Sequence, residues 1–158
     1  MEGIYMNDQE FMQLSIELAQ KAEEAGNLPV GSLITLDGKI VAEGPSRVYQ
    51  PRYDLTRHAE MEALRALPPE LWKNKESLVL YTTLAPCPMC LGAILLYGIP
   101  RVVYGAEGEF DGGKALADHL PPFFKERFQN IEWVGPTMPA ECDPLHQRLL
   151  EIEKEKSD

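Results

Sequence analysis

Two short runs, His58-Ala59-Glu60 and Pro86-Cys87-Pro88-Met89-Cys90, constrain this fold more than any other feature. Their side chains have work to do only if they meet in space, although a helix and a strand's worth of chain separates them. Two thiolates and one imidazole form a donor set suited to Zn²⁺. Three protein ligands leave the fourth tetrahedral position open for water. The Glu60 carboxylate, beside the imidazole, is the natural proton carrier for that water.

The spacing fixes where these residues must sit. Residues two apart on a helix point about 200° away from each other and do not converge in mid-helix. His58 and Glu60 are therefore expected in a first helical turn, where side chains tilt toward the N-terminus and reach past the helix end, with Thr56 placed to cap it. Cys87 and Cys90 are three apart and share one face. Pro86 and Pro88 suit the opening turn of a second helix, whose exposed N–H groups and dipole favour thiolate. Two helix N-termini at one metal are the prediction. A closed structural zinc site with Cys142, His119 or His146 as fourth ligand is the alternative, but it has no use for Glu60.

The combination H-x-E…P-C-x-x-C resembles the signature of zinc-dependent nucleobase deaminases, in which the Glu is the general acid/base and not a ligand. The chain resembles the cytidine deaminase superfamily, in the branch holding yeast-type cytosine deaminase, bacterial guanine deaminase and the tRNA adenosine deaminases. Leu28-Pro29-Val30-Gly31, Asp54 to Glu60, Leu80 to Cys90 and Tyr97 to Gly105 carry the likeness over most of the chain. The last run, with Phe110, is most similar to yeast-type cytosine deaminase, whereas Glu141-Cys142 and the helix after it resemble the tRNA enzymes. The resemblance implies one Zn²⁺ per chain on His58, Cys87 and Cys90, catalysis by Glu60, and a homodimer. It also implies hydrolytic deamination of a small amino-substituted heterocycle, a free base or nucleoside. A tRNA adenosine-to-inosine deaminase and a non-catalytic zinc-stabilised protein are the two alternatives.

Composition bounds the rest. A chain of 158 residues with 44% hydrophobic content is read as one domain, residues 1–158, able to enclose a sizeable core. No apolar run is long enough to span a bilayer, and Met1-Glu2-Gly3-Ile4-Tyr5 lacks the regions of a secretory signal, so a cytoplasmic protein is expected. Cys142 has no partner left once Cys87 and Cys90 hold metal, as befits a reducing compartment. The net charge of −10 opposes polyanion binding, which relies on Lys and Arg displacing counterions. The tail from Glu151 to Asp158 is net acidic too.

Periodicity gives alternating helices and strands. A first helix from Asn7 or Asp8 to Gly26 carries Phe11, Leu14, Leu18 and Ala22 inward. Strands at Val30 to Leu36 and Lys39 to Ala42 flank the hairpin signal Asp37-Gly38. The first metal helix is His58 to Leu67, and Leu91 to Tyr97 forms the rest of the second, which a strand from Ser77 to Thr83 feeds. Strands at Arg101 to Tyr104 and Ile131 to Val134 and a helix from Asp143 to Lys154 complete an α/β fold. It is read as a three-layer α/β/α sandwich with a mixed five-stranded sheet.

Substrate contacts are expected from Ser46, Arg47, Ala59, Ala85, Phe110 and Asp111. Related deaminases usually place an Asn in the loop before the first metal helix. Here Ser46 or Arg47 stands there, and neither copies an amide's donor and acceptor pattern. Arg47, Arg52 and Arg57 with Tyr49 and Tyr53 form a cationic, aromatic cluster, read either as solvated or paired with the surplus Asp and Glu or as suited to an anionic substituent. Ala85 replaces the commoner Glu or Ser, its carbonyl being the group the resemblance assigns to the amino group. The stretch from Gly108 to Gly113 is read as a lid.

Overall fold

The computed structural model describes residues 5–108 and 112–158. Helix α1 (Asp8–Glu24) begins behind Asn7, whose side chain accepts from the Glu10 N–H at 3.0 Å. The Glu10 carboxylate accepts from the Asn7 N–H at 2.7 Å in return. This reciprocal cap satisfies two donors that a helix start otherwise leaves free. Asn7→Ala is expected to cost about 1 kcal/mol, read as a lower urea midpoint; an unmoved midpoint would show the cap to be idle.

Strands β1 (Gly31–Leu36) and β2 (Lys39–Pro45) form the expected antiparallel hairpin. Both turn residues, Asp37 and Gly38, have positive φ, 50° and 75°, as a two-residue turn of this hand requires. Strand β2 runs past the expected Ala42 to Pro45, paired with Gly31. The chain continues through α2 (Ala59–Ala66), a 3-10 segment (Pro69–Ser77), β3 (Leu78–Leu84), α3 (Pro88–Tyr97) and β4 (Arg101–Ala106). A second 3-10 segment (Gly112–His119), α4 (Pro122–Gln129), β5 (Glu132–Val134) and α5 (Pro139–Ser157) follow. Both 3-10 segments and α4 go beyond what periodicity showed, and among the described residues none of the three buries an apolar stripe that would have revealed it. Helix α5 starts before the predicted Asp143 because it accommodates Pro144 internally, giving up one backbone hydrogen bond.

The sheet order is β2-β1-β3-β4-β5, antiparallel from β2 to β3 and parallel from β3 to β5. This is the mixed five-stranded sheet of a three-layer α/β/α sandwich. Strand side chains alternate between its faces. Leu33, Tyr81 and Val103 pack with Phe11, Met12 and Ile16 of α1 and Cys142 of α5. Ile34, Leu80 and Val102 pack with Ala63 and Leu64 of α2 and Ile94 of α3. The parallel junction of β3 with β4 sets α3 after β3, so the end of β3 opens directly onto the segment carrying Cys87.

Candidate active site

His58 lies at the N-cap of α2 in an extended conformation, φ −60° and ψ 156°, and Glu60 is in the first turn. Cys87 occupies the N-cap of α3, with Pro88 opening the helix and the Leu91 N–H donating to the Cys87 carbonyl at 2.8 Å. Both expected helix N-termini are thus present, side by side. Thr56 does not cap α2, a correction to the sequence reading. Its hydroxyl donates to Asp54 Oδ1 at 2.7 Å and faces Arg65 Nη2 at 3.3 Å.

The three donors fit a tetrahedral ion. His58 Nδ1 lies 3.5 Å from Cys87 Sγ and 3.6 Å from Cys90 Sγ. Bond lengths of about 2.3 Å to sulfur and 2.05 Å to nitrogen at a tetrahedral angle require an S···N separation of about 3.6 Å. Among the described residues this is the one cluster of donors able to hold a metal. Cys142 is buried against α1 and the sheet, His119 is exposed, and His146 is not in the cluster. The hydrogen bond from Cys90, helped by His58 and opposed by burial, holds the Cys87 thiol down at about 4. His58 is raised by its hydrogen bond with Cys87, and Cys90 is raised as the proton donor to Cys87 and by burial. A divalent cation held by His58, Cys87 and Cys90 would take the place of that proton.

Glu60 is 4% exposed. The Thr82 hydroxyl lies 3.1 Å from its Oε1, and Cys90 Sγ lies 3.5 Å from its Oε2. Burial pushes the carboxyl upward, against its own backbone N–H, His58 and Thr82. A carboxyl so raised holds a proton more readily than an exposed one, as an acid/base group requires.

His58, Glu60 and Cys87 open into a cavity of about 270 Å³. Leu28, Val30, Ala59 and Leu149 belong both to its walls and to a third apolar cluster, which joins the start of β1 to α2 and α5. Ser46, Ala59 and Ala85 line the cavity as predicted contacts. Arg47 is not among its lining residues. Ser46 is buried facing inward, whereas the next side chain, 52% exposed, turns toward Glu62. Arg57 is likewise engaged with Glu62. Phe110 and Asp111, with Glu109, lie outside the described residues. The sequence reading gave α5 as a core helix but no part in the site, whereas its His146, Leu149, Leu150 and Glu153 form one wall. Their i, i+3, i+4, i+7 spacing is a helical stripe, masked in the sequence by the core stripe of Leu145, Leu149 and Ile152.

Comparison with known sequences settles the family. Residues 6–106 match the profile of the cytidine and deoxycytidylate deaminase zinc-binding region. The chain belongs to this deaminase family. Its class is that of zinc-dependent hydrolases acting on C–N bonds of cyclic amidines, and His58, Cys87 and Cys90 form its candidate zinc site. The chain is 34% identical over 155 residues to a tRNA-specific adenosine deaminase of Bacillus subtilis, covering 94% of this chain and 92% of that one. It is 36% identical over 111 residues to a cytosine deaminase of Candida albicans, covering 70% and 73%. Among solved structures, a tRNA:A34 deaminase superposes with a TM-score of 0.67 at 28% identity, over 85% of this chain and 97% of the other. A guanine deaminase from Bacillus subtilis superposes with a TM-score of 0.57 at 37% identity, over 64% and 65%. Among the described residues, no helix of this deaminase-family chain is long and apolar enough to cross a membrane.

Proposed function

We propose that this chain hydrolytically deaminates a free nucleobase or nucleoside, releasing ammonia, with Glu60 as the proton carrier. The observation that carries the reading is the buried Glu60 carboxylate beside the donor cluster, at the wall of a closed-in cavity. Zinc bound by His58, Cys87 and Cys90 would acidify water at an open coordination position. Glu60 takes a proton from the attacking water and delivers it to the ring nitrogen beside the amino-bearing carbon. As the water oxygen bonds to that carbon, Glu60 takes the second proton from the resulting hydroxyl and passes it to the amino group; the C–N bond breaks, ammonia leaves and a carbonyl remains. Thr82 holds the carboxylate in register through Oε1.

The cavity supports the small substrate class. At about 270 Å³ it lies just below the roughly 300–1,000 Å³ range of ligand pockets. Its walls are mainly aliphatic, with the Ser46 hydroxyl, His146 and the Glu153 carboxylate as polar groups away from the metal. Glu153 has no ion-pair partner among the described residues. A free carboxylate at the wall accepts from ring N–H or amino groups and repels phosphate. The near full-length likeness to a tRNA-specific adenosine deaminase favours the second reading, deamination of tRNA adenosine.

Ammonia release from cytosine, guanine, their nucleosides, acidic analogues and a tRNA anticodon stem-loop separates these readings. The expected result is turnover of a neutral base or nucleoside, with Glu153→Gln raising its KM about tenfold, the worth of one charge-assisted hydrogen bond of 1.4 kcal/mol. Turnover of the stem-loop alone, with affinity falling steeply as salt is added, would replace this reading with the second.

The site is further proposed to work in a homodimer. Helix α3 carries no charged residue, yet Met89 and Leu96 on its outer side are exposed, as is neighbouring Trp72. A helix apolar on all sides is normally covered, and a second copy is the proposed cover. Free Cys87, Cys90 and Cys142 accord with a reducing, cytoplasmic setting.

A further inference from the structure

Two arginines of the loop before α2, Arg47 and Arg57, turn toward one carboxylate, Glu62, where Arg65 of α2 joins them. Glu62 is 11% exposed at its side chain. Its Oε1 accepts from Arg57 Nε at 2.9 Å and Arg65 Nη1 at 2.8 Å, and its Oε2 accepts from Arg57 Nη2 at 3.1 Å. Arg47 Nε stands 3.9 Å from Oε2. Glu62 lies one helical turn beyond His58, its N–H donating to the His58 carbonyl at 2.9 Å. Because helical side chains lean toward the N-terminus, the Glu62 carboxylate reaches back over the first turn to the residue just before the metal ligand.

The connections run on from there to the substrate loop. Arg65 Nη1 also donates to the Thr56 carbonyl at 3.3 Å. The Arg57 carbonyl accepts from the Arg47 N–H at 3.0 Å, and the Val48 carbonyl accepts from the Asp54 N–H at 2.7 Å. Arg47 directly follows Ser46, whose side chain faces the cavity. One carboxylate therefore ties the segments that present Ser46 and His58, from the side of α2 away from the cavity.

We infer that Glu62 is a positioning residue, which through its two-bond fork to Arg57 fixes the separation of the His58 imidazole and the Ser46 loop. The inference rests on the reading of His58 as a metal ligand and of Ser46 as a cavity contact. Exposed ion pairs contribute little, but this one is sheltered, bidentate and shared. Removing its single negative charge leaves three guanidinium groups facing one another. The loop then relaxes, and both the imidazole and the Ser46 hydroxyl lose their fixed places.

The test uses the zinc-loaded full chain. Groups that orient metal ligands from outside the coordination sphere change affinity by about 10–100-fold. Glu62→Gln is accordingly expected to shift the zinc-transfer equilibrium toward a competing chelator about 10–100-fold, and to raise KM as well as lower kcat. Arg57→Met, which leaves Glu62 paired with Arg65, should move both readouts in the same direction and covers the case in which Glu62→Gln does not fold. Glu132→Gln, which removes an exposed carboxylate on β5, should move neither. Zinc transfer indistinguishable from wild type in both Glu62→Gln and Arg57→Met would overturn the inference. A wild-type chain that holds zinc yet releases no ammonia from any substrate would instead overturn the proposed function, and the zinc-transfer result would still decide the role of Glu62.

Discussion

Glu60→Gln is expected to lower kcat by about 10²–10⁴-fold, the usual contribution of a positioned acid/base, with bound zinc unchanged. Glutamine has nearly the same shape, and its amide oxygen can keep the contact that Thr82 Oγ1 makes with Oε1 at 3.1 Å. The amide nitrogen would face Cys90 Sγ, where the carboxylate oxygen now lies at 3.5 Å, and a thiolate accepts from such a donor. The fold and the donor triangle of His58, Cys87 and Cys90 therefore stay as they are. What disappears is a group that can take up and release a proton. Elemental analysis for zinc and an ammonia-coupled assay, run on the same preparation, separate the two effects. A variant that keeps its zinc and a near-normal rate would remove Glu60 from proton transfer and leave the cavity without an assigned base.

The ligand triangle was legible in the sequence because each half of it is local. A ligand at a helix N-cap and a proline at the first helical position are short-range properties, and His58, Cys87 and Pro88 obey them. The hairpin at Asp37-Gly38 was legible for the same reason. What escaped the sequence depends on which elements meet. Glu153 and His146 reach the cavity because α5 crosses the end of β3, and nothing along α5 itself states that. Arg57 looked available for an anion because its partner, Glu62, lies beyond the metal ligand on another turn. Thr56 had the chemistry of a cap, but Asp54 and Arg65 claim it.

Replacing Gly44 by valine should produce a large loss of stability, because the obstacle is backbone. Gly44 lies in β2, paired with Ser32 of β1, and α2 crosses directly over it. A Cβ there would collide with the Ala59 carbonyl oxygen and the Ala63 nitrogen, and would lie 3.0 Å from the Ala63 Cα. Side-chain rotation relieves none of these, so strand and helix must separate. Such overpacking costs roughly 1–3 kcal/mol, occasionally more, or a fall in Tm of about 2–12 °C at 2–4 °C per kcal/mol for a chain of this size. The displaced end of α2 is the end that carries His58 and Glu60, so zinc retention should fall with stability. Gly92→Ala is the internal contrast. A Cβ at Gly92 on α3 meets no atom of the described residues within 4 Å, and alanine favours a helix interior over glycine by about 1 kcal/mol, so at concentrations that hold the chain as a monomer its Tm should rise. Thermal melts of both variants with and without a chelator test the contrast. An unchanged Tm in Gly44→Val would mean that α2 can lift from the sheet without loss, and that the placing of the metal helix does not depend on its contact with β2.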